Sequence, residues 1–523
     1  MSQHQDDPAY REAVATGMYV GYWAARSPHA PALIGEQGRL SFAELNARSN
    51  RLARLLRERG LRPGDTLALL CHNCFEFAEA VAATRRIGVR LTPINFHLGA
   101  DEVAYILRDC DAKVFMAAGR FADVAARAAQ GIAEIHTRIA VDGDIPGFER
   151  LRALVEAYGT DDIPNPVLGV SMLYTSGSTG KPKGVARPSA PPTGAATSAI
   201  YRGNYTPGSD LHLCTGPLYH AAPLAYSLVI PLLSGAGVVL MDGWEAERSL
   251  QLIETHRITH THMVPTMFHR LLGLSPEQRR SYALSSLRYV LHGAAPCPIE
   301  VKRALIEWLG PVVFEYYGAT EGTGTMVDSE TWLRKPGTVG QPEPRDQIKI
   351  MDDGGNELPA GDVGTVYLKS PAALRFNYHK DPGKTASAFR GDYYTVGDLG
   401  YLDEDGYLFL TDRSANLIIS GGVNIYPAEC DAVLLTHPAV HDVAVIGVPN
   451  AEWGEEVKAV VELEPGREAS AALERELIEY CRARLAHYKC PRSVDFVTSL
   501  PRYDSGKLSK HALRERYRQA MRA

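Results

Sequence analysis

The sequence lacks the features that mark membrane, secreted and nucleic-acid-binding proteins. The longest apolar run, Leu228 to Leu240, is interrupted by Pro231, Ser234 and Gly235, and is too short for a bilayer-spanning helix of about 20 residues. The N-terminal stretch MSQHQDDPAY has neither the basic nor the apolar segment of a signal peptide. No block of like charge occurs and the net charge is −6, so nucleic-acid binding has no support. We therefore expect a cytoplasmic protein without a transmembrane segment.

Cysteine is also scarce. Eight cysteines in 523 residues do not form a disulfide framework. Cys71-His72-Asn73-Cys74 has CxxC spacing, but no second pair follows it. We interpret Cys71 and Cys74 as reduced thiols at the start of a helix, in preference to metal or redox use.

A second pattern, formed by His256, His260 and His262, has a spacing that could indicate zinc. Because this stretch reads as a turn that leads into a buried strand, we do not expect these histidines to bind a metal.

The order of predicted elements indicates an α/β protein. The chain is too long for one ordinary core, so two or more domains are expected. Residues 1–60 look helical, and alternating strands and helices continue to about residue 340, which predicts parallel sheets covered by helices. The predicted elements of this part include strands at Thr66–Leu70, Ala112–Met116, Gly237–Met241, His262–Val264 and Leu287–Leu291, and a helix at Cys74–Ile87.

Beyond about residue 341 the pattern changes to short strands separated by turns. This predicts a small β-rich subdomain over about 341–412 and completes a large N-terminal domain of residues 1–412. Residues 413–523 are numerous enough for a core of their own, and we expect them to form a smaller α+β domain. The predicted elements are strands at Gln347–Met351, Thr365–Leu368, Tyr407–Leu410, Val443–Val448 and Val457–Leu463, and a helix at Ala471–Leu485.

A stretch rich in glycine, hydroxyl groups and lysine follows the apolar run Val170–Leu173, which reads as the end of a strand. Glycines let the backbone approach a ligand closely, exposed amides and hydroxyls donate to phosphate oxygens, and lysines add positive charge. The pattern predicts a phosphate-binding loop rather than a flexible linker, and its glycine spacing differs from that of a Walker A loop. The residues of this loop are Thr175, Ser176, Gly177, Ser178, Thr179, Gly180, Lys181, Pro182, Lys183 and Gly184.

This loop resembles the phosphate loop of the adenylate-forming superfamily, which includes acyl-CoA synthetases, stand-alone adenylation domains and beetle luciferases. Further blocks resemble the same family, and the likeness covers about Tyr22 to Tyr517. The resemblance implies a mobile C-terminal domain and the use of ATP, Mg²⁺ and coenzyme A. A carboxylic acid would attack the α-phosphate of MgATP to give an acyl-adenylate and pyrophosphate, and the CoA thiol would then displace AMP. Oligomeric state is not readable from the sequence, and a homodimer stays open.

The resemblance assigns the nucleotide base and sugar to three blocks. The loop after His292 would line the adenine pocket, Tyr317 would stack on adenine through its polarisable face, and Asp398 would accept hydrogen bonds from both ribose hydroxyls. Arg413 would add a ribose or phosphate contact. The predicted nucleotide-binding residues outside the phosphate loop are Gly293, Ala294, Ala295, Tyr316, Tyr317, Gly318, Asp398 and Arg413.

The same family implies the reacting groups. Thr320 would hydrogen-bond the phosphoryl oxygen, Glu321 would hold Mg²⁺ as a hard carboxylate ligand, and His220 would lie near the acyl carboxylate. Lys507 would reach the carboxylate and the α-phosphate and stabilise charge as pyrophosphate leaves.

Three glycines and one histidine would line the acyl pocket. His220, Gly293, Gly318 and Gly322 are its predicted members. Gly318 lies where the acyl chain passes, so a roomy pocket is expected. The resemblance favours a bulky hydrophobic or polycyclic acid.

The thioester step implies a second loop and a hinge. Gly421 and Gly422 would let the pantetheine arm of CoA pass, and rotation of the small domain about Arg413 would exchange this loop with Lys507. Relatives usually carry Asp or Lys two residues after the junction arginine, where this chain has Ala415. Asn416 also replaces a common Asp. We hypothesise an altered balance of the two half-reactions, with weak adenylation and retained thioester formation.

An AMP-forming acid–CoA ligase is the favoured interpretation. A stand-alone adenylation enzyme that loads a carrier protein, a luciferase-like oxygenase and a non-catalytic acyl-nucleotide binder are the alternatives. The presence of Lys507, Glu321 and Thr320 argues against the last of these.

Overall fold

The computed structural model of the chain describes residues 6–175, 182–187, 203–370, 375–413, 416–420, 423–450, 453–502 and 508–520. The chain falls into two compact units, each with its own sheets. The first comprises Met1–His292, Val312–Phe314 and Ser370–Ser387, and the second comprises Gly293–Pro311, Glu315–Lys369 and Ala388–Ala523.

The helices are α1 (Pro8–Thr16), α2 (Tyr19–Arg26), α3 (Phe42–Glu58), α4 (Phe75–Arg86), α5 (Ala100–Asp109), α6 (Ala122–Ala128), α7 (Leu151–Val155), α8 (Ile230–Leu233), α9 (Ala246–His256), α10 (Pro265–Leu272), α11 (Pro276–Arg280), α12 (Ile299–Leu309), α13 (Ser329–Arg334), α14 (Pro382–Ala388), α15 (Pro427–Leu434), α16 (Ala471–Arg482) and α17 (Lys510–Ala520).

The strands are β1 (Pro31–Gly35), β2 (Gly38–Ser41), β3 (Thr66–Leu70), β4 (Arg90–Ile94), β5 (Ala112–Ala117), β6 (Thr137–Ala140), β7 (Glu149–Arg150), β8 (Leu173–Thr175), β9 (Lys183–Ala186), β10 (Leu211–Cys214), β11 (Gly237–Leu240), β12 (His260–Met263), β13 (Tyr289–His292), β14 (Val313–Ala319), β15 (Gly322–Val327), β16 (Thr338–Gly340), β17 (Ile348–Met351), β18 (Gly364–Lys369), β19 (Asn377–Tyr378), β20 (Phe389–Arg390), β21 (Tyr393–Tyr394), β22 (Asp398–Leu402), β23 (Leu408–Arg413), β24 (Ile418–Ser420), β25 (Val423–Ile425), β26 (Val440–Asn450), β27 (Gly454–Leu463) and β28 (Ser493–Val497).

The first unit contains a parallel sheet with strand order β4-β3-β5-β6-β7. β3 has neighbours on both sides and every one of its residues is buried, which explains why Thr66–Leu70 is a continuous apolar run. α4 connects β3 to β4 and is also largely buried. The parallel strands and their connecting helices confirm the predicted α/β class.

A second sheet of the first unit contains β13, β12, β10, β11 and β1 in this order, with parallel pairing throughout. β2 pairs antiparallel with β1 at its edge. The prediction that residues 1–60 are helical is therefore wrong for the segment that forms β1 and β2. Gly38 adopts a φ of 107° where the hairpin turns, and Ser41 then caps α3 through a capping box with Glu44.

The second unit is richer in antiparallel sheet. One sheet has the order β16-β23-β22-β18-β21-β20, with β17 paired to β18. Another has the order β25-β24-β27-β26, with β28 joined in parallel to β27. Buried residues of β26 and β27 form a core with Leu434 of α15 and with Leu477 and Cys481 of α16. The predicted β-rich region is present, and β26, β27 and α16 correspond to the two strands and the helix predicted after it.

The eight cysteines form no disulfide, and Cys74 is the N-cap residue of α4, which confirms the predicted helix start. Within the described ranges, no helix is both long enough and apolar enough to cross a membrane.

β12 carries two histidines that are almost fully buried. Burial lowers the pKa of His260 to about 4, against a hydrogen bond from its Nε2 to the Gly203 carbonyl oxygen, and lowers the pKa of His262 to about 4. Both rings are therefore neutral in the folded protein at neutral pH.

We predict that the protein loses stability as the pH falls from 7 towards 5. The unfolded chain binds protons at these histidines near their ordinary pKa of about 6.5, whereas the folded chain binds them only near pH 4. The cost at pH 5 is on the order of 1–2 kcal/mol per histidine. Thermal unfolding of His262→Asn should show a shallower decline of melting temperature with acidification. The exposed His29→Asn serves as a control, and an unchanged slope in His262→Asn would contradict the prediction.

Candidate active site

Several predicted site residues lie outside the described part of the chain, and their roles stay predictions. These are Ser176, Gly177, Ser178, Thr179, Gly180, Lys181, Ala415, Gly421, Gly422 and Lys507.

The strands that flank the predicted phosphate loop form an antiparallel pair. In the first unit, Thr175 of β8 lies opposite Lys183 of β9, so the strand before the loop lies slightly later than Val170–Leu173. The Tyr174 hydroxyl donates a hydrogen bond to the Asp109 carboxylate, which anchors β8. The Lys183 Nζ is buried and has no hydrogen-bond partner among the described residues. A buried ammonium group without a partner is costly, so this position fits an anionic ligand such as a phosphate.

His220 lies on a loop that follows β10, and Asn73 holds that loop. The Asn73 Nδ2 donates to the carbonyl oxygens of Gly216 (2.9 Å) and Met241 (3.0 Å), and its Oδ1 accepts from the Leu218 amide (2.9 Å). Asn73 could not be recognised from the sequence, because its partners lie more than 140 residues further along the chain. Asn73 is therefore a positioning residue for the segment that carries His220.

Aromatic packing also orders this loop. The Tyr219 ring contacts the His220 ring at a centroid distance of 4.5 Å, and the Phe96 ring meets Tyr219 edge-on at 5.0 Å. Tyr219 is buried. The connection between β3 and α4, through Asn73, and the Phe96 ring therefore hold this loop in place.

In the second unit, the segment after β13 packs directly on a tyrosine. A Cβ added to Gly293 would lie 2.5 Å from the Tyr316 ring, so only glycine fits there. Ala294 has a φ of 67°, in the left-handed region, and Ala294 and Ala295 are exposed. Tyr316 packs against this segment at Gly293. The adenine-binding roles of Gly293, Ala294, Ala295 and Tyr316 stay predictions.

The structure brings the predicted adenine and ribose residues together. The Tyr317 hydroxyl donates a hydrogen bond to the Asp398 Oδ2 at 2.9 Å, although the two residues are 81 positions apart. Tyr317 is 7% exposed and Asp398 9% exposed. A Cβ on Gly324 would lie 2.9 Å from the Tyr317 ring, so this glycine lets the ring lie flat against β15. In the backbone register of the antiparallel pair β22 and β23, Arg413 lies opposite Asp398.

Thr320 and Glu321 occupy the turn between β14 and β15. Ala319 pairs with Gly322, so the two residues form the tip of the hairpin, where both are half-buried. A carboxylate at a turn is a suitable oxygen ligand for Mg²⁺, and Glu321 fits that role.

Two of the three glycines assigned to the acyl pocket, Gly318 and Gly322, lie on this hairpin. Gly318 pairs with Thr323 next to a shift in register. A Cβ on Gly322 would lie 2.2 Å from the Tyr394 hydroxyl, so a larger residue at Gly322 would displace Tyr394. Their role in acid binding stays a prediction.

A buried ion pair supports the Tyr316-Tyr317 segment. The Nζ of Lys302, on α12, lies 2.6 Å from the Oε2 of Glu315, and both side chains are buried. The ammonium also lies 4.7 Å from the centre of the Trp332 ring. Burial raises the pKa of Glu315, and the charge of Lys302 opposes this rise. Because Glu315 precedes Tyr316, the pair fixes the start of the strand that carries Tyr317.

Two family models match the chain. The model described as AMP-binding enzyme matches residues 21–376, and the model described as AMP-binding enzyme C-terminal domain matches residues 429–507.

Individual relatives match over nearly their whole length. A feruloyl-CoA synthase from Amycolatopsis sp. is 34% identical, with 95% of this chain and 99% of the relative covered. A long-chain-fatty-acid–CoA ligase from Mycobacterium tuberculosis is 34% identical, with 92% and 93% covered. The solved structure of an o-succinylbenzoate CoA synthetase from Bacillus subtilis, in complex with its acyl-adenylate intermediate, matches with a TM-score of 0.77 and 29% identity, covering 95% of this chain and 97% of that one.

We predict that Lys302→Met destabilises the protein by about 3–5 kcal/mol, because it leaves the Glu315 carboxylate buried without its partner. The double variant Lys302→Met/Glu315→Leu should recover most of this loss, since neither charge is then buried alone. Urea unfolding of the two variants measures the difference. A single variant that is no less stable than the double variant would show that the ion pair does not support this segment.

Proposed function

This chain belongs to the AMP-binding enzyme family, as its sequence blocks predicted, and from this premise we propose that it is an AMP-forming acid–CoA ligase for a bulky hydrophobic carboxylic acid. The observation that carries the proposal is the hydrogen bond between Tyr317 and Asp398. It joins the residue expected to stack on adenine to the residue expected to hold the ribose.

ATP would be held by residues of several segments. Tyr317 offers a ring face to adenine. The Asp398 carboxylate has acceptor capacity beyond the bond from Tyr317, so it can also accept from ribose hydroxyls. Lys183 and the loop from Ser176 to Lys181 would bind the phosphates, in keeping with a Lys183 Nζ that is buried and has no hydrogen-bond partner among the residues that the structure describes.

The adenylation step requires that the acid carboxylate be held beside the α-phosphate. His220 would face the carboxylate, Thr320 would donate to a phosphoryl oxygen, and Lys507 would stabilise the charge that develops as pyrophosphate leaves. Glu321 would hold Mg²⁺, which when bound offsets phosphate charge. The protein therefore acts mainly by positioning the reactants and by electrostatic stabilisation.

The thioester step would use the segment that contains Gly421 and Gly422, through which the pantetheine arm would approach the acyl-adenylate. We propose that residues 413–523 form a mobile domain that rotates about Arg413 between the two steps. The acid, ATP and CoA are the small-molecule partners of this reaction. We also propose a cytoplasmic location, and light scattering of the purified protein would test for a homodimer.

The substrate class rests on the relatives and on the glycines of the hairpin. The relatives are named for feruloyl-CoA, long-chain fatty acids and o-succinylbenzoate. The feruloyl and succinylbenzoate groups contain an aromatic ring, and a long-chain fatty acid has a long apolar chain. Gly318 adds no side-chain volume to the predicted acyl pocket. A bulky hydrophobic acid therefore suits this chain better than a very small one.

An observation at the predicted hinge favours a second candidate function. The Asn416 Nδ2 donates to the Asp412 Oδ1 at 3.0 Å, and the Asp412 Oδ2 accepts from the Ala428 amide at 2.9 Å. Asn416 thus ties the predicted hinge to the start of α15. The alternative is a ligase that mainly forms the thioester from a supplied acyl-adenylate.

A panel of acids tests the proposed function. We predict that incubation with ATP, Mg²⁺ and CoA gives acyl-CoA and AMP most rapidly with aromatic, polycyclic or long-chain acids. Lys507→Ala should lower the rate of adenylate formation by at least about 100-fold, as expected for loss of a group that stabilises the transition state. An acyl-carrier protein offered in place of CoA distinguishes the stand-alone adenylation alternative. Absence of AMP formation with every acid would refute the adenylation step.

We predict that Asn416→Asp changes the ratio of the two half-reaction rates several-fold, because it replaces a hydrogen bond of about 1 kcal/mol with repulsion between two carboxylates. Pyrophosphate release and CoA loading of a supplied acyl-adenylate are measured separately. Asn356→Asp is the matched control, since Asn356 makes the same kind of bond to Asp352 at 3.0 Å in a distant turn. An equal ratio in the wild type and Asn416→Asp would contradict the hypothesis that residues at the hinge set the balance of the two half-reactions.

A further inference from the structure

Three potential metal ligands converge at the end of β3, in the first unit. The Sγ atoms of Cys71 and Cys74 lie 3.3 Å apart. These two sulfurs and one ring nitrogen of His72 all lie within 4.8 Å of one another. The three residues are only 1%, 4% and 8% exposed for Cys71, Cys74 and His72.

One ring nitrogen of this cluster makes no hydrogen bond within the described part of the chain. The His72 Nδ1 is buried and forms no hydrogen bond with any residue that the structure describes. Two reduced thiols account for the contact between the sulfurs, but they leave this nitrogen desolvated and unpaired, which is unfavourable for a polar atom. A cation bound among the three donors would account for the arrangement.

We propose that Cys71, His72 and Cys74 form a zinc-binding site. Two thiolates and one imidazole form a donor set that suits Zn²⁺ and disfavours Mg²⁺, because sulfur and nitrogen are soft or borderline ligands. On binding, the two thiols release their protons to solvent and two Zn–S bonds form, while the neutral imidazole donates a nitrogen lone pair. Three protein ligands leave one tetrahedral position for a water molecule.

The surroundings of the cluster can orient the histidine. The Phe121 ring meets the His72 ring edge-on at a centroid distance of 6.5 Å.

The site lies beside the positioning residue for His220. Asn73 sits between the ligands in sequence, and it bonds Gly216 and Leu218 in the loop that leads to His220. Zinc at this place would hold the β3–α4 connection in one conformation and so keep Asn73 against that loop. This is a structural role, separate from the Mg²⁺ and ATP of the proposed reaction.

The experiment begins with the full-length wild-type protein. After treatment with a chelator and dialysis, titration with Zn²⁺ should load one equivalent and raise the melting temperature. X-ray absorption at the zinc edge should then show two sulfur ligands at about 2.3 Å and one nitrogen at about 2.0 Å. This measurement needs no variant, so it decides the question even where a substitution impairs folding.

Variants locate the site. Cys71→Ser and Cys74→Ser should each weaken Zn²⁺ binding at least 100-fold in competition with a chromogenic chelator. Cys481→Ser is the matched control, because it removes one thiol of the close pair Cys430 and Cys481, whose sulfurs lie 3.7 Å apart. It should bind Zn²⁺ as the wild type does.

The proposal is overturned by less than one equivalent bound by the wild type, by an absorption spectrum without sulfur ligands, or by equal affinities in Cys71→Ser and the wild type. One equivalent with two sulfur ligands supports it. Loss of binding in Cys481→Ser alone would place the zinc at the other thiol pair, and would also overturn it.

Discussion

The hydrogen bond from Tyr317 to Asp398 is the interaction on which the proposed active site depends. It joins β14 to β22 within the second unit, and it is buried, so its loss would leave a desolvated carboxylate. Its geometry is itself supported from both sides. Gly324 gives room to the Tyr317 ring, and the buried pair of Lys302 and Glu315 fixes the start of β14. A nucleotide site built on such fixed groups needs little rearrangement when ATP binds.

The class of fold and the positions of the motifs could be predicted from the sequence, because both depend on residues that are close together along the chain. Continuous apolar runs such as Thr66–Leu70 identify buried parallel strands, and glycine-rich blocks identify turns. The first hairpin was missed because β1 and β2 are short and α3 follows at once, so the helical periodicity of the region dominated. Asn73 was missed as a positioning residue for a different reason: its importance lies in contacts with distant segments that form only after folding.

Polar side chains lie at two places that bear on the proposed reaction. Asn416 bonds Asp412 beside the predicted hinge, and an acid at position 416 would repel Asp412 instead of binding it. At the other place, the β3–α4 connection combines Asn73, which braces the His220 loop, with the cluster of Cys71, His72 and Cys74. In both cases the proposed role is to hold a segment that must be correctly placed before the reactants meet.

The most direct measurement of the central claim is a crystal structure of the protein with a non-hydrolysable acyl-sulfamoyl analogue of the acyl-adenylate. The account predicts that the adenine ring lies on the face of Tyr317, that Asp398 accepts hydrogen bonds from both ribose hydroxyls, and that the bond between Tyr317 and Asp398 persists. An analogue bound elsewhere, or bound with its ribose away from Asp398, would contradict the account.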